Sequence, residues 1–411
     1  MNSTDAYIKI MKYLTILIIP LMLFLSCSRE NTAILWSSNR EAADIVELYN
    51  TENKKYRIIF QYKEDLVSSY IKADRKPDIL IGEDLQNSDI KIEMANLENL
   101  YTRSSQNGET INQALLGGVF LNREKRLLPL SYSLTTAVFK KNSKRIDNSQ
   151  ASIELEQLKD DAVAFNHEQE KRGYSPYWDK DFIYSVLELF GSAFTTSETK
   201  TLTWANDDLS EAMGFIKSWH ERNGGTDEMT QFDTKYLYEN RIKILKDERI
   251  LFTTMSSAQF MSLSDNMRRE LDFLYLSHNF QLHPDHIVFG GVSRRSKALI
   301  VSTDFLSWMI KRDTQKKIIE TSIKNNSGNF AFFGGFSSLN SVNSQILPQF
   351  YPRLTGKIPE HQYILPQLEK PVDFNSIKNK LITSWVIEES SGENLSLDEA
   401  LEKWERLRIP F

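Results

Sequence analysis

From Ala33 onward the chain alternates between two periodicities, and that alternation limits its fold more than any other feature. Ile34-Leu35-Trp36 is an apolar run, Ser37-Ser38-Asn39-Arg40 interrupts it, and Ala42, Ile45, Val46 and Tyr49 then recur at helical spacing. Tyr56 to Tyr62 alternates as a strand does, a second amphipathic helix follows, and Pro77 to Gly82 reads as a strand buried on both faces. Parallel strands must be joined by a crossover, and right-handed crossovers generate a parallel sheet covered by helices. Ligands of such sheets lie beyond the carboxyl ends of the strands. Trp36, Ser37, Glu83 and Asp84 fall at those ends, so they are candidate ligand contacts. Two of them have a structural alternative: Trp36 as a cover for the sheet and Asp84 as the cap of a following helix.

With 411 residues the chain is longer than one compact core sustains, which predicts two domains. Its 50 basic and 55 acidic residues leave a net charge of −5, and nothing in that balance favours a nucleic-acid partner. Ahead of the first strand stand Lys12, an apolar run from Leu14 to Leu25, Ser26 and Cys27. The run is short for a membrane span and predicts a cleaved secretory signal over residues 1–26, with Met11 an alternative start. Phe24-Leu25-Ser26-Cys27 resembles a bacterial lipobox with Phe in place of the usual Leu, and Cys27 is the only cysteine in the chain. That resemblance implies lipidation at Cys27, a tether over residues 27–30, and an envelope location facing the periplasm or the exterior.

Farther along, Ile287-Val288-Phe289 meets Gly290-Gly291, and a cationic loop leads to a segment with Ile300, Phe305, Trp308, Met309 and Ile310 on one side. Lys311, Arg312, Lys316 and Lys317 gather late, as suits a helix C-terminus. This strand, glycine turn and helix resembles the extracellular solute-binding proteins of ABC transporters, in the sugar-binding, maltose-binding-protein-like group. Phe305, Leu306, Trp308, Met309, Gln315 and Lys317 match the family pattern. The resemblance extends, through weak motifs in the right order, over nearly all of residues 33–407. It implies an α/β, two-lobed periplasmic-binding-protein-like fold, each lobe a mostly parallel sheet flanked by helices, joined by several hinge crossings. Lobe 1 would comprise residues 31–139 and 288–328, and lobe 2 residues 140–287 and 329–411.

By the same resemblance, Leu128-Pro129 and Val138-Phe139 mark a strand carrying the chain into lobe 2, with Tyr132 towards the cleft. Within lobe 2, Ala162 to Asn166 reads as a short strand and Asp207 to His220 as an amphipathic helix stopped by Asn223-Gly224-Gly225. Tyr177 and Trp178 stand just before a helix carrying Phe182, Val186, Leu187 and Phe190. An aromatic face suits the C–H face of a sugar ring, whereas the same pair could equally staple the helix to its own lobe. Ile250 to Ser257 resembles the family's strand and turn before a helix, placing Ser256 at the cleft, although the family's flanking Gly-Lys and Gly-Trp are missing. Gly290, in the glycine-bearing strand, completes the implied ligand contacts. Near the end, Ser396 is a candidate helix cap, with Glu399 reaching back.

Enzyme motifs are not persuasive. Ser69-Tyr70-Ile71-Lys72 and Ser264-Asp265-Asn266 match two elements of penicillin-recognising enzymes, but no Lys-Thr-Gly exists and Ser69 and Lys72 fall within a helix. His278, His283 and His286 lack metal-site spacing and read as solvated loop histidines. The expectation is a non-enzymatic, monomeric binding protein without cofactor or metal. Its partners would be a small solute, a saccharide by resemblance, an ABC permease, and a membrane through the lipid anchor. The alternative is a sensor partner or adhesin on the same fold, or a receptor for a non-sugar solute. Cys27→Ala should abolish incorporation of a fatty-acid probe during growth; equal labelling of variant and wild type would eliminate the lipobox.

Overall fold

In a computed structural model, residues 31–166, 170–197, 201–371, 374–390 and 395–407 are described. The signal segment over residues 1–26, Cys27 and the tether over residues 27–30 lie outside them. The first five elements are β1 (Thr32–Ser37), α1 (Ala42–Glu52), β2 (Arg57–Tyr62), α2 (Leu66–Lys72) and β3 (Ile79–Gly82). β1 pairs in parallel with both β2 and β3, so the alternation of strand and helix makes the expected parallel sheet. Asp65 starts α2 by accepting a hydrogen bond from the Ser68 N–H at 2.9 Å.

The centre of the molecule is β4 (Leu128–Lys140), buried on both faces over its first twelve residues. Later elements build around it: β5 (Ser152–Glu154), α3 (Leu155–Phe165), α4 (Lys180–Leu189), α5 (Asn206–Arg222), β6 (Phe252–Ser256), α6 (Ser257–Ser262), β7 (Leu271–His278) and β8 (Pro284–Val292). Its first half pairs with β8, which reaches β3 in turn; its second half pairs with β6 and β7. Two sheets therefore share one strand. Among the described strands, parallel ladders join β1 to β2 and β3 and β7 to β5, and every pairing of β4 and β8 is antiparallel. The mostly parallel lobes implied by the family resemblance are thus narrower than expected, because the strands crossing between the sheets return in the opposite sense.

Two further differences have local causes. Residues 162–165 end helix α3 instead of forming a strand, since Leu155, Leu158 and Ala162 share its buried face. The helix expected from Ile300 onward is two, α7 (Leu299–Met309) and α8 (Arg312–Lys324), with Lys311 extended between them. At the break the buried Gln315 amide donates to the Met309 carbonyl at 3.1 Å, and its oxygen accepts from Ser337 at 2.6 Å. The orphan carbonyl of a helix end is thereby satisfied without continuing the helix. Phe330, Phe336, Val342 and Leu347 belong to a core that holds β1–β3 and extends to Phe260, Leu271 and Phe273. A second core gathers Tyr174, Phe182, Trp219 and, near the chain end, Ile382 and Val386. At the chain end, α9 (Leu397–Leu407) begins with Ser396 accepting the Glu399 N–H at 3.2 Å while the Glu399 carboxylate accepts the Ser396 N–H at 2.9 Å.

Two glycines separate packing from propensity. A Cβ on Gly335 would lie 2.4 Å from the Tyr132 carbonyl oxygen, a backbone atom that cannot step aside, whereas one on Gly214, inside α5, would meet nothing within 4 Å. Gly335→Ala should cost about 1–3 kcal/mol of stability and Gly214→Ala should add about 0.5–1 kcal/mol, read by urea denaturation.

Candidate functional site

Three loops leave the carboxyl ends of β1, β2 and β3 on one side of the first sheet, carrying Ser38, Glu64 and Asp65, and Glu83 to Gln86. Facing them are α4, the start of β8 and residues 370–379. Two cavities of about 430 and 310 Å³ open between these walls, and they share Glu83, Asp84, Gln86, Lys370, Phe374 and Asn375. We treat them as one cleft.

Its walls are tied by polar contacts. The Asn375 amide donates to the Asp84 carboxylate, and the His286 Nδ1 stands 3.0 Å from the Glu83 carboxylate. Asp84 and His286 both adopt left-handed backbone angles, φ 62° and 47°, and β8 carries a register shift at His286. The bulge turns neighbouring side chains of β8 into the cleft. Lys378 donates to Asp181 at 2.7 Å; Lys370 is held by Glu188 at 3.1 Å, the Tyr184 hydroxyl at 3.0 Å and the Phe194 carbonyl at 2.7 Å. Phe374, 8% exposed, sets its ring edge to face against Tyr184 at 5.7 Å.

The charges control one another. Burial, reinforced by the negative charge of Glu83, pushes the Asp84 carboxyl up to about 6. Burial also opposes ionisation of Asp285, but His286, His283 and Lys378 outweigh it and hold that carboxyl below its usual range. His286 is raised to about 10 by Asp285 and by its hydrogen bond to Glu83. Carboxylates, amides and an aromatic edge around a polar chamber can pair with many hydroxyls at once. Among the described residues no group of three or more His, Cys, Asp or Glu side chains is placed to hold a metal.

Of the residues singled out from the sequence, Glu83 and Asp84 line both cavities. The others lie elsewhere. Trp36 is 9% exposed, donates its indole N–H to Gln61 at 2.8 Å and carries the Lys63 ammonium 4.4 Å above its ring. Ser37 is fully buried, and its hydroxyl accepts the Asn39 N–H at 3.0 Å. Tyr132 is buried beneath Phe336, Ser256 caps α6, and a Cβ on Gly290 would come 3.2 Å from Leu306. Trp36, Ser37, Tyr132 and Ser256 serve packing, turns and caps here, the Gly290 backbone packs close to Leu306, and none of the five lines either cavity. Tyr177 packs on His220 at 4.5 Å. Trp178 lines a separate depression of about 290 Å³ with Tyr174, Asp179 and Arg241; its N–H donates to Asp233 at 3.0 Å and Arg241 stacks 4.2 Å away.

Phe374, Asn375 and Lys378 escaped the sequence reading, and His286 was read there only as a loop histidine. Phe374 opens a helical segment as a lone aromatic beside Asn375, without the aromatic pair that drew attention to Tyr177-Trp178. The histidines differ too: His283 is buried, His286 is ion-paired and His278 stacks on Phe190 at 4.1 Å. His286 yields a pH prediction with a defined sign. A base whose pKa rises on folding stabilises the fold fully below its unfolded pKa and loses that contribution as pH climbs through the folded one. The stability advantage of wild type over His286→Gln should be complete below pH 6.5 and fade as pH rises through about 10. Denaturant titrations across that window check it, and a constant difference would refute it.

No protein-family model matches the sequence, and no curated protein matches it either. Solved structures do match. An ABC substrate-binding protein of Listeria monocytogenes in complex with cycloalternan is 16% identical with a TM-score of 0.64, over 91% of this chain and 97% of that one. The cyclic alpha-maltosyl-1,6-maltose binding protein of Arthrobacter globiformis is also 16% identical, with a TM-score of 0.67 over 90% and 96%. The sugar-binding protein MalE of Xanthomonas citri is 11% identical, with a TM-score of 0.70 over 91% and 95%. The fold of this chain is therefore that of the two-lobed, sugar-binding ABC solute-binding proteins.

Proposed function

We propose that this protein is the lipid-anchored solute-binding component of an ABC importer and takes a sugar or oligosaccharide into the cleft between its lobes. The observation that carries this reading is the cleft itself. Loops from the carboxyl ends of three parallel strands face Phe374 and Asn375 across a polar chamber, in a fold whose solved relatives are described as binding oligosaccharides. Glu83 and Asp84 accept hydroxyl hydrogen bonds, which are stronger to an ionised acceptor than to a neutral one. Phe374 offers apolar contact to a ring. A ligand touching both walls stabilises the closed arrangement, which a permease then recognises. A receptor role without transport, as a sensor partner, would use the same cleft.

Thermal shift against mono- and oligosaccharides, amino acids and polyamines tests the class of ligand, because a ligand of the native state raises its stability. For a saccharide that binds, Phe374→Ala should weaken affinity by about 1–3 kcal/mol in isothermal titration, with circular dichroism unchanged. Trp178→Ala should leave it nearly intact, since that ring lines a different depression. Stabilisation by amino acids or polyamines and by no saccharide would move the assignment to another solute.

A further inference from the structure

The end of lobe 1 opposite the cleft carries its own surface. Thr32 pairs with Arg57 and Leu35 with Ile79, so the amino ends of β1, β2 and β3 share one pole. β8 runs against β3, with Val292 opposite Ile79, and delivers the loop that follows it to the same pole. Asp78 fixes that loop: one carboxylate oxygen accepts from the Ser296 hydroxyl at 2.6 Å, the other from the Ile34 N–H at 2.8 Å. The loop and the first turn of α7 then show solvent three cations and two aliphatics. Arg294 and Arg295 have side chains 45% and 71% exposed, Lys297 is exposed, and Leu299 and Ile300 are 45% and 70% exposed. Glu93, 3.4 Å from Arg294 and 3.7 Å from Arg295, offsets part of that charge. Beside them, Lys54, Lys55 and Arg57 at the entrance to β2 add further exposed cations to a chain that is acidic overall.

We infer that this pole seats on an anionic lipid surface. Cations beside protruding aliphatics match an interface of acidic headgroups over acyl chains, where each Lys or Arg contributes about 1 kcal/mol. The position of the chain entry agrees: only three residues separate Cys27 from Asn31, and the four steps between them span at most roughly 14 Å. An anchor at Cys27 therefore holds this pole at the headgroups, about 20 Å from the strand ends that build the cleft, and leaves the cleft clear. The inference rests on the lipid-anchor reading for its orientation, and the surface itself is testable without the lipid.

Protein beginning at Ser28, which lacks the apolar run from Leu14 to Leu25 and has neither cysteine nor lipid, is floated with vesicles of phosphatidylcholine alone or with about 30% phosphatidylglycerol. Binding to the anionic vesicles alone, weakened by salt and reduced about tenfold by Leu299→Glu with Ile300→Glu, is the expected result. In the same background Ile300→Cys labelled with an environment-sensitive dye should brighten on binding, and Tyr238→Cys, at a position 95% exposed on the other lobe, should not. Absence of flotation, or equal responses at the two positions, overturns the surface whatever happens at Cys27. Failure of fatty-acid labelling would instead remove the anchor and leave the flotation result standing.

Discussion

Everything in this molecule depends on a single strand serving two sheets. β4 spends its first half beside β8 and its second half beside β6 and β7, and it is buried from Leu128 to Phe139. A strand buried on both faces has its side chains fixed by packing above and below. The relative placement of the loops after β1–β3 and of α4 follows from that one ladder. β8 adds the second crossing, and its bulge at His286 is where the ladder yields to chemistry.

Within the cleft, burial and pairing compete, and the outcome differs from one carboxylate to the next. Asp285 stays ionised because two histidines and Lys378 surround it. Lys378 pays the desolvation that burial demands, yet Asp285, Asp181 and Asp84 more than restore its charge. Asp84, hydrogen-bonded by the Asn375 amide, is pushed towards protonation because burial and the neighbouring Glu83 outweigh the pull of Lys378 and His286. The result is a wall holding both an easily protonated carboxyl and firmly charged groups, which suits a neutral ligand rich in hydroxyls better than one of fixed charge.

The alternation that encodes β1, α1, β2, α2 and β3 was plain in the residues, because each apolar face repeats with its own period and meets one neighbour. Side-chain direction was not. In β4 and β8 both faces are buried, so apolar residues occupy successive positions and the period of two that would orient Tyr132 or Gly290 vanishes. The break between α7 and α8 was equally hidden, since Gln315 ends the first helix only in concert with Ser337 on a distant strand. Glu83 and Asp84 were legible because strand ends are topological positions. Phe374 and Asn375 meet them across 291 residues of chain, a distance that no local pattern spans.

The shared strand also sets a timetable. Lys140 pairs with Leu271 and Leu134 with Pro284, contacts separated by more than a hundred residues, so β4 has no partner for most of its length until lobe 2 has been synthesised. Closing such long loops delays folding relative to helices and hairpins. The delay keeps the polypeptide extended while its ribosome is still at work. The same topology that makes the finished protein rigid at its centre keeps the nascent one from folding too soon.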